Sequence, residues 1–155
     1  MKYTYRFAHL EKKPDYNVGH IFKPNETVGI MGNTGQSTGA HLHIDCARGE
    51  ITSPFSLSDF EEKIKPEPRQ LLYMIDDGLF GVPPVITTGY ADPEYIKIYK
   101  KVHYGFDVVP YNRKTTKENY KIRWNRSMNG KVVLIVDDEK GYGNCVYVMI
   151  ETHGG

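Results

Sequence analysis

His41, His43 and Asp45 alternate in the run AHLHID. In an extended strand residues two apart project to one side, so these three share a face while Leu42, Ile44 and Cys46 take the other. Two imidazoles and a carboxylate are donor types that hold a divalent metal or move a proton. An isolated His-x-His is nevertheless more often a pair of hydrogen-bonded histidines on a polar strand face than a metal site. The glycine-rich approach from Gly32 to Gly39 first suggests a phosphate cradle. A phosphate loop of the Walker type ends in Gly-Lys-Ser/Thr, whereas here Gly39 is followed by Ala40 and His41, and the phosphate reading fails. Gly32, Gly35 and Gly39 are instead expected to supply positive-φ turns along one wall of a cleft.

A second pair, His103 and Asp107, stands four residues apart in KVHYGFDVV. Gly105 and the flanking Val102, Val108 and Val109 argue against a helix, which leaves a loop entering a strand. A catalytic zinc site takes three protein ligands from His and Asp/Glu and keeps a position open for water. His103, Asp107 and one histidine of the 41/43 pair would fill that set. His9, in YRFAHL, alternates with Tyr3, Tyr5 and Phe7, and taken alone is expected to be a satisfied core histidine. His20 and His153 fall in turn-like or terminal segments and are given no role.

These residues must be positioned by β structure. Alternating, β-branched and aromatic stretches recur at Tyr3 to Leu10, Glu26 to Met31, His41 to Cys46, Lys131 to Asp137 and Cys145 to Thr152, with Gly, Asn, Asp and Pro between them. That pattern predicts an antiparallel β protein. One helix start is evident, the Ser-x-x-Glu capping box of Ser58 and Glu61, and its helix must stop before Pro66. Residues 50–82 change to Ser, Pro and mixed charge and read as a connector. The 155 residues suit a single domain, with a core from 1–49 and 83–155. A net charge of +1 gives no field that would draw nucleic acid or an anionic membrane. No apolar run approaches the length that spans a bilayer, and Met1 to Arg6 lack the apolar segment of a signal peptide. Cys46 and Cys145 are too few for a disulfide framework and are expected to be free, partly buried thiols.

Set side by side, these motifs resemble the lysostaphin-type zinc endopeptidases, which cut peptide cross-links in bacterial peptidoglycan. HYGFD is similar to the family's first zinc motif, GYGNCVYV to its central strand, and RFAHL to its lone-histidine motif. TVGIMGNTGQSTG is similar to its glycine-rich turn and AHLHI to its closing His-x-His, while PPVITTGY resembles the segment that leads into the first motif. The order departs from the family, because the lone histidine and the His-x-His open this chain instead of closing it. The sequence thus resembles a circular permutant in which VYVMIETHGG would run on into KYTYRFAHL as a hairpin, with the connector joining the former ends.

The resemblance implies a mainly β fold of packed antiparallel sheets around a central groove, in permuted order, with one short surface helix. It implies one zinc ion per chain held by His103, Asp107 and His43, with His41 as general base. His9 would hydrogen-bond the developing oxyanion or return a proton to the leaving amine. A tyrosine upstream of the first motif often assists in this family, which points to Tyr90, Tyr95 or Tyr99. The expected substrate is the stem or bridge peptide of peptidoglycan. The expected protein is a monomer with no nucleic-acid partner and no membrane insertion. It would be made in the cytoplasm and act on the wall after release, as a phage lysis enzyme or one carried in a virion. A non-catalytic module of the same fold, binding wall peptide or activating an amidase, is the alternative.

Overall fold

The computed structural model describes residues 1–37, 39–112 and 120–153. Nine strands lie among them: β1 (Lys2–Leu10), β2 (Ile21–Phe22), β3 (Thr27–Ile30), β4 (Leu42–Arg48), β5 (Pro84–Thr88), β6 (Gly105–Pro110), β7 (Lys121–Arg123), β8 (Gly130–Asp138) and β9 (Gly143–Glu151). Seven form one sheet in the order β2-β8-β9-β1-β4-β6-β5, and β3 pairs with β7 in a small second sheet. Every pairing between these strands is antiparallel. The five alternating stretches of the sequence correspond to β1, β3, β4, β8 and β9.

Alternation divides the large sheet into two buried faces. Tyr3, Tyr5 and Phe7 of β1 and Leu42, Ile44 and Cys46 of β4 enter the larger core with Trp124, Leu71, Met74 and Phe80. Ala8 and Ala47 face the other way, into a smaller cluster with Phe55, Phe60, Cys145 and Tyr147. The two cysteines lie in different clusters and are free and buried.

The helical content differs from the expectation of one short surface helix. Three helices are present among the described residues, α1 (Pro68–Met74), α2 (Asp77–Phe80) and α3 (Pro93–Tyr99). The predicted capping box at Ser58 does not form; the box is made two residues earlier, where the Ser56 amide donates to the Asp59 carboxylate at 2.8 Å around a single 3-10 turn. Glu61, at φ 72°, lies in the left-handed region that a helix cannot pass through. The helices that do form begin at prolines in their first turn or at aspartate caps, Asp76 and Asp92. The connector is not external to the core: Leu71, Met74 and Leu79 within it are fully buried. No helix among the described residues is long and apolar enough to cross a membrane.

The chain ends meet. β1 and β9 are neighbours, with Lys2 opposite Glu151, and the Met1 ammonium donates to the Thr152 carbonyl at 2.6 Å.

Candidate metal centre

Register brings the first two candidate ligands together. β4 and β6 pair with His43 directly opposite Asp107, and residues so paired point to the same face of a sheet. His43 Nδ1 lies 3.0 Å from Asp107 Oδ1. His103, two residues before β6, sets its Nε2 3.5 Å from Asp107 Oδ2. Gly105 between them is required by this packing, since a Cβ there would fall 2.6 Å from the Ile44 carbonyl oxygen and 3.0 Å from the His43 ring.

One donor atom from each of His43, His103 and Asp107 lies within 4.8 Å of the others, so the three could hold a metal ion. Their hydrogen bonds favour that use. His103 Nδ1 lies 3.1 Å from the Gly89 carbonyl oxygen, which can only accept, so Nδ1 carries a proton and Nε2 is the nitrogen turned to Asp107 and free to take a metal. His43 Nε2 lies 2.8 Å from Asp45 Oδ2, which turns its other nitrogen to the cluster. Burial disfavours the charged form of His43, but hydrogen bonds to Asp107 and Asp45 outweigh it and hold its pKa up at about 9 in the metal-free protein. Burial likewise opposes ionisation of Asp107, yet His103 and His43 hold its carboxyl far below the usual carboxylate range. Ligand atoms about 2.0–2.1 Å from a tetrahedral zinc are about 3.3 Å apart; His43 lies 3.0 Å from one Asp107 oxygen and His103 3.5 Å from the other, close to that spacing.

His9 reaches the cluster through a departure from strand geometry. Between the pairs Phe7–Val146 and Leu10–Asn144, β1 has two residues where β9 has one, a bulge. His9 sits in it with φ 61°. The expected alignment with Tyr3, Tyr5 and Phe7 is therefore wrong: the bulge re-aims the ring so that it lies 4.8 Å from His41 and 6.4 Å from His43, centroid to centroid. The glycine-rich turn clamps the bulge, because His9 Nδ1 donates to the Thr34 carbonyl at 2.7 Å and the Thr34 hydroxyl donates to the Leu10 carbonyl at 2.6 Å. Burial pushes the His9 pKa down to about 4, so the ring is neutral at pH 7.

His41 directs Nδ1 at the Gly39 carbonyl, 2.8 Å away, and Nε2 towards Asp107 Oδ1 at 3.7 Å. Both non-ligand histidines thus donate through Nδ1 to a backbone carbonyl and present Nε2 as an acceptor. Of the three turn glycines only Gly35 has positive φ; Gly32 is instead pressed against the Glu11 backbone, and Gly39 has open space beside it.

Among the three tyrosines, Tyr95 comes closest to the cluster, its ring 4.7 Å from that of His103. Tyr90 packs on Tyr104 and Phe106, and Tyr99 on Tyr95. Sequence reasoning missed Arg6 and Tyr142, which adjoin the cluster from below. The available signal for Arg6 was a charge alternating with small residues on the second face of a strand. No protein-family model, curated protein or solved structure matches the chain, so the site is interpreted from its own residues and geometry.

Proposed function

We propose that this chain is a zinc-dependent endopeptidase that hydrolyses peptide cross-links of bacterial peptidoglycan, built on a lysostaphin-type fold in circularly permuted order. The observation that carries the reading is the convergence of His9, His41, His43, His103 and Asp107 from three separate stretches of chain. The meeting of β1 with β9 and of Met1 with Thr152 supports the permuted order. In this reading His43, His103 and Asp107 hold the ion. The chemistry that a bound zinc supplies is Lewis acidity, polarising a carbonyl and acidifying a water.

His41, with its Nδ1 proton held on Gly39, takes the water's proton at Nε2 and returns it to the leaving amine. His9, with its Nδ1 proton held on Thr34, turns Nε2 to the site, where it accepts a hydrogen bond from the water and, once protonated there, donates to the developing oxyanion.

Metal analysis and digestion of purified peptidoglycan from two wall types, read by mass spectrometry, test the proposal. One zinc per chain and conversion of cross-linked to uncross-linked fragments are expected. His103→Ala and Asp107→Ala should lose both zinc and activity. His41→Ala should keep zinc and lose about 10²–10⁴ in turnover. Zinc without cleavage of either wall would favour the non-catalytic module, and well under one zinc per chain would end the metal reading.

A further inference from the structure

Behind His43 lies an ion pair that the chemistry above does not use. The Arg6 and Asp45 side chains have no exposed surface, and the two residues face each other across the β1–β4 register. Arg6 grips the carboxylate twice, Nε donating to Oδ1 at 3.1 Å and Nη2 to Oδ2 at 2.5 Å. Its remaining nitrogen, Nη1, donates to the Phe55 carbonyl. The guanidinium carbon stands 3.8 Å from the Phe55 ring centroid and 4.0 Å from that of Tyr142. Each guanidinium nitrogen is thus hydrogen-bonded, and two aromatic rings pack on the group.

A buried ion pair is weak support for a fold, since apolar residues of similar size commonly replace one without loss of stability. This pair has a more specific consequence. Asp45 Oδ2 is also the partner of His43 Nε2 at 2.8 Å. A carboxylate only accepts, so without a metal both ring nitrogens donate; Nε2 keeps its proton on Asp45, and Nδ1, which faces Asp107, is the nitrogen that gives up its proton to a metal. Turning the ring over would cost the buried hydrogen bond to the Asp45 oxygen that Arg6 holds in place.

We infer that Arg6 and Asp45 are positioning residues of the metal centre: Asp45, clamped by Arg6 between Phe55 and Tyr142, presets His43 as an Nδ1 ligand. The inference rests on the metal reading above but not on the identity of the substrate. It also gives the connector a part in the site, because Phe55 lies in residues 50–82.

The test uses the full chain and zinc ion as the probe, titrated against a chromophoric chelator, with ¹⁵N NMR of the histidine rings in the zinc-loaded protein. The wild type should show His43 protonated at Nε2 and ligated at Nδ1. The double variant Arg6→Met with Asp45→Leu removes both charges at similar volume. It should bind zinc about 10–100-fold more weakly and lose the single His43 tautomer, while circular dichroism shows the same fold. Unchanged affinity with an unchanged His43 spectrum would overturn the inference. Should the double variant fail to fold, the wild-type spectrum decides: Nδ1–H with the metal on Nε2 overturns it, and the opposite pattern supports it. Absence of zinc from the wild type would instead remove the metal reading itself, and is seen before any variant is made.

Discussion

Replacing His9 by glycine and, separately, by alanine tests the geometry that brings this ring to the site. His9 has φ 61°, and in that left-handed region a Cβ costs about 1–2 kcal/mol. Glycine escapes the cost but loses about 0.5–1 kcal/mol through the greater freedom of its unfolded chain. Both variants forfeit the Nδ1 bond to Thr34 and the burial of the imidazole equally, so their difference isolates the Cβ. Subtraction of the mid-values leaves His9→Gly more stable than His9→Ala by about 0.75 kcal/mol. The sign is the reverse of an ordinary strand interior, where glycine is the weaker residue. At a urea slope of about 2 kcal/mol/M the unfolding midpoints should differ by about 0.3–0.5 M. Both variants should bind zinc as the wild type does, since His9 is not among the three residues that could hold a metal. An alanine variant as stable as the glycine one, or more so, would refute the reasoning. Without the bulge the ring would point with Tyr5 and Phe7, away from His41.

Three further outcomes follow from the same geometry. His43, held at a pKa of about 9 without metal, carries a proton at pH 7 that ligation must displace. Zinc binding should therefore release about one proton at pH 7 and progressively less as the pH passes 9, read from calorimetric enthalpies in buffers of different ionisation heat; no release at pH 7 would contradict it. Tyr95 has the ring nearest the cluster of the three tyrosines, which puts its hydroxyl in the best place to steady a developing oxyanion. Tyr95→Phe should lower turnover by about 10²-fold with zinc content unchanged, whereas Tyr90→Phe and Tyr99→Phe should stay close to wild type; equal losses at all three would deny Tyr95 that role. A chain rejoined from its last residue to Met1 and reopened at Gly81 should fold, because the Met1 ammonium already bonds to Thr152. Deleting residues 50–82 should abolish folding, since Leu71, Met74, Leu79 and Phe80 leave the core at about 2–5 kcal/mol for each large apolar side chain, against a typical total of about 5–15 kcal/mol.

The strands and the candidate ligand residues were legible because the signals are local. Alternation at period two identifies β1, β4, β8 and β9 wherever one face is buried, and His-x-His with His-x-x-x-Asp names its donor atoms outright. The helices were less legible for an equally local reason. Pro68 at a first turn and the Asp92-Pro93-Glu94 start are ordinary helix signals, but they stood in a stretch whose Pro and charge content resembles a linker. The capping box was placed two residues late because Ser56 and Ser58 both precede an acidic residue at the same spacing, and only the backbone selects between them.

What the sequence determined by itself is the inventory: strand faces and donor types. Tertiary structure alone decided three things. A two-for-one bulge turned His9 from the core to the cluster, because a single left-handed residue reverses the side-chain alternation that periodicity assumes. Packing of the connector against β1 put Phe55 on Arg6, an encounter between residues 49 positions apart that no local spacing encodes. Finally, the choice of nitrogen on each imidazole followed from the carbonyl or carboxylate behind it. A ring's tautomer is set by its hydrogen-bond partner, and those partners, Gly89, Asp45, Thr34 and Gly39, are assembled only when the chain folds.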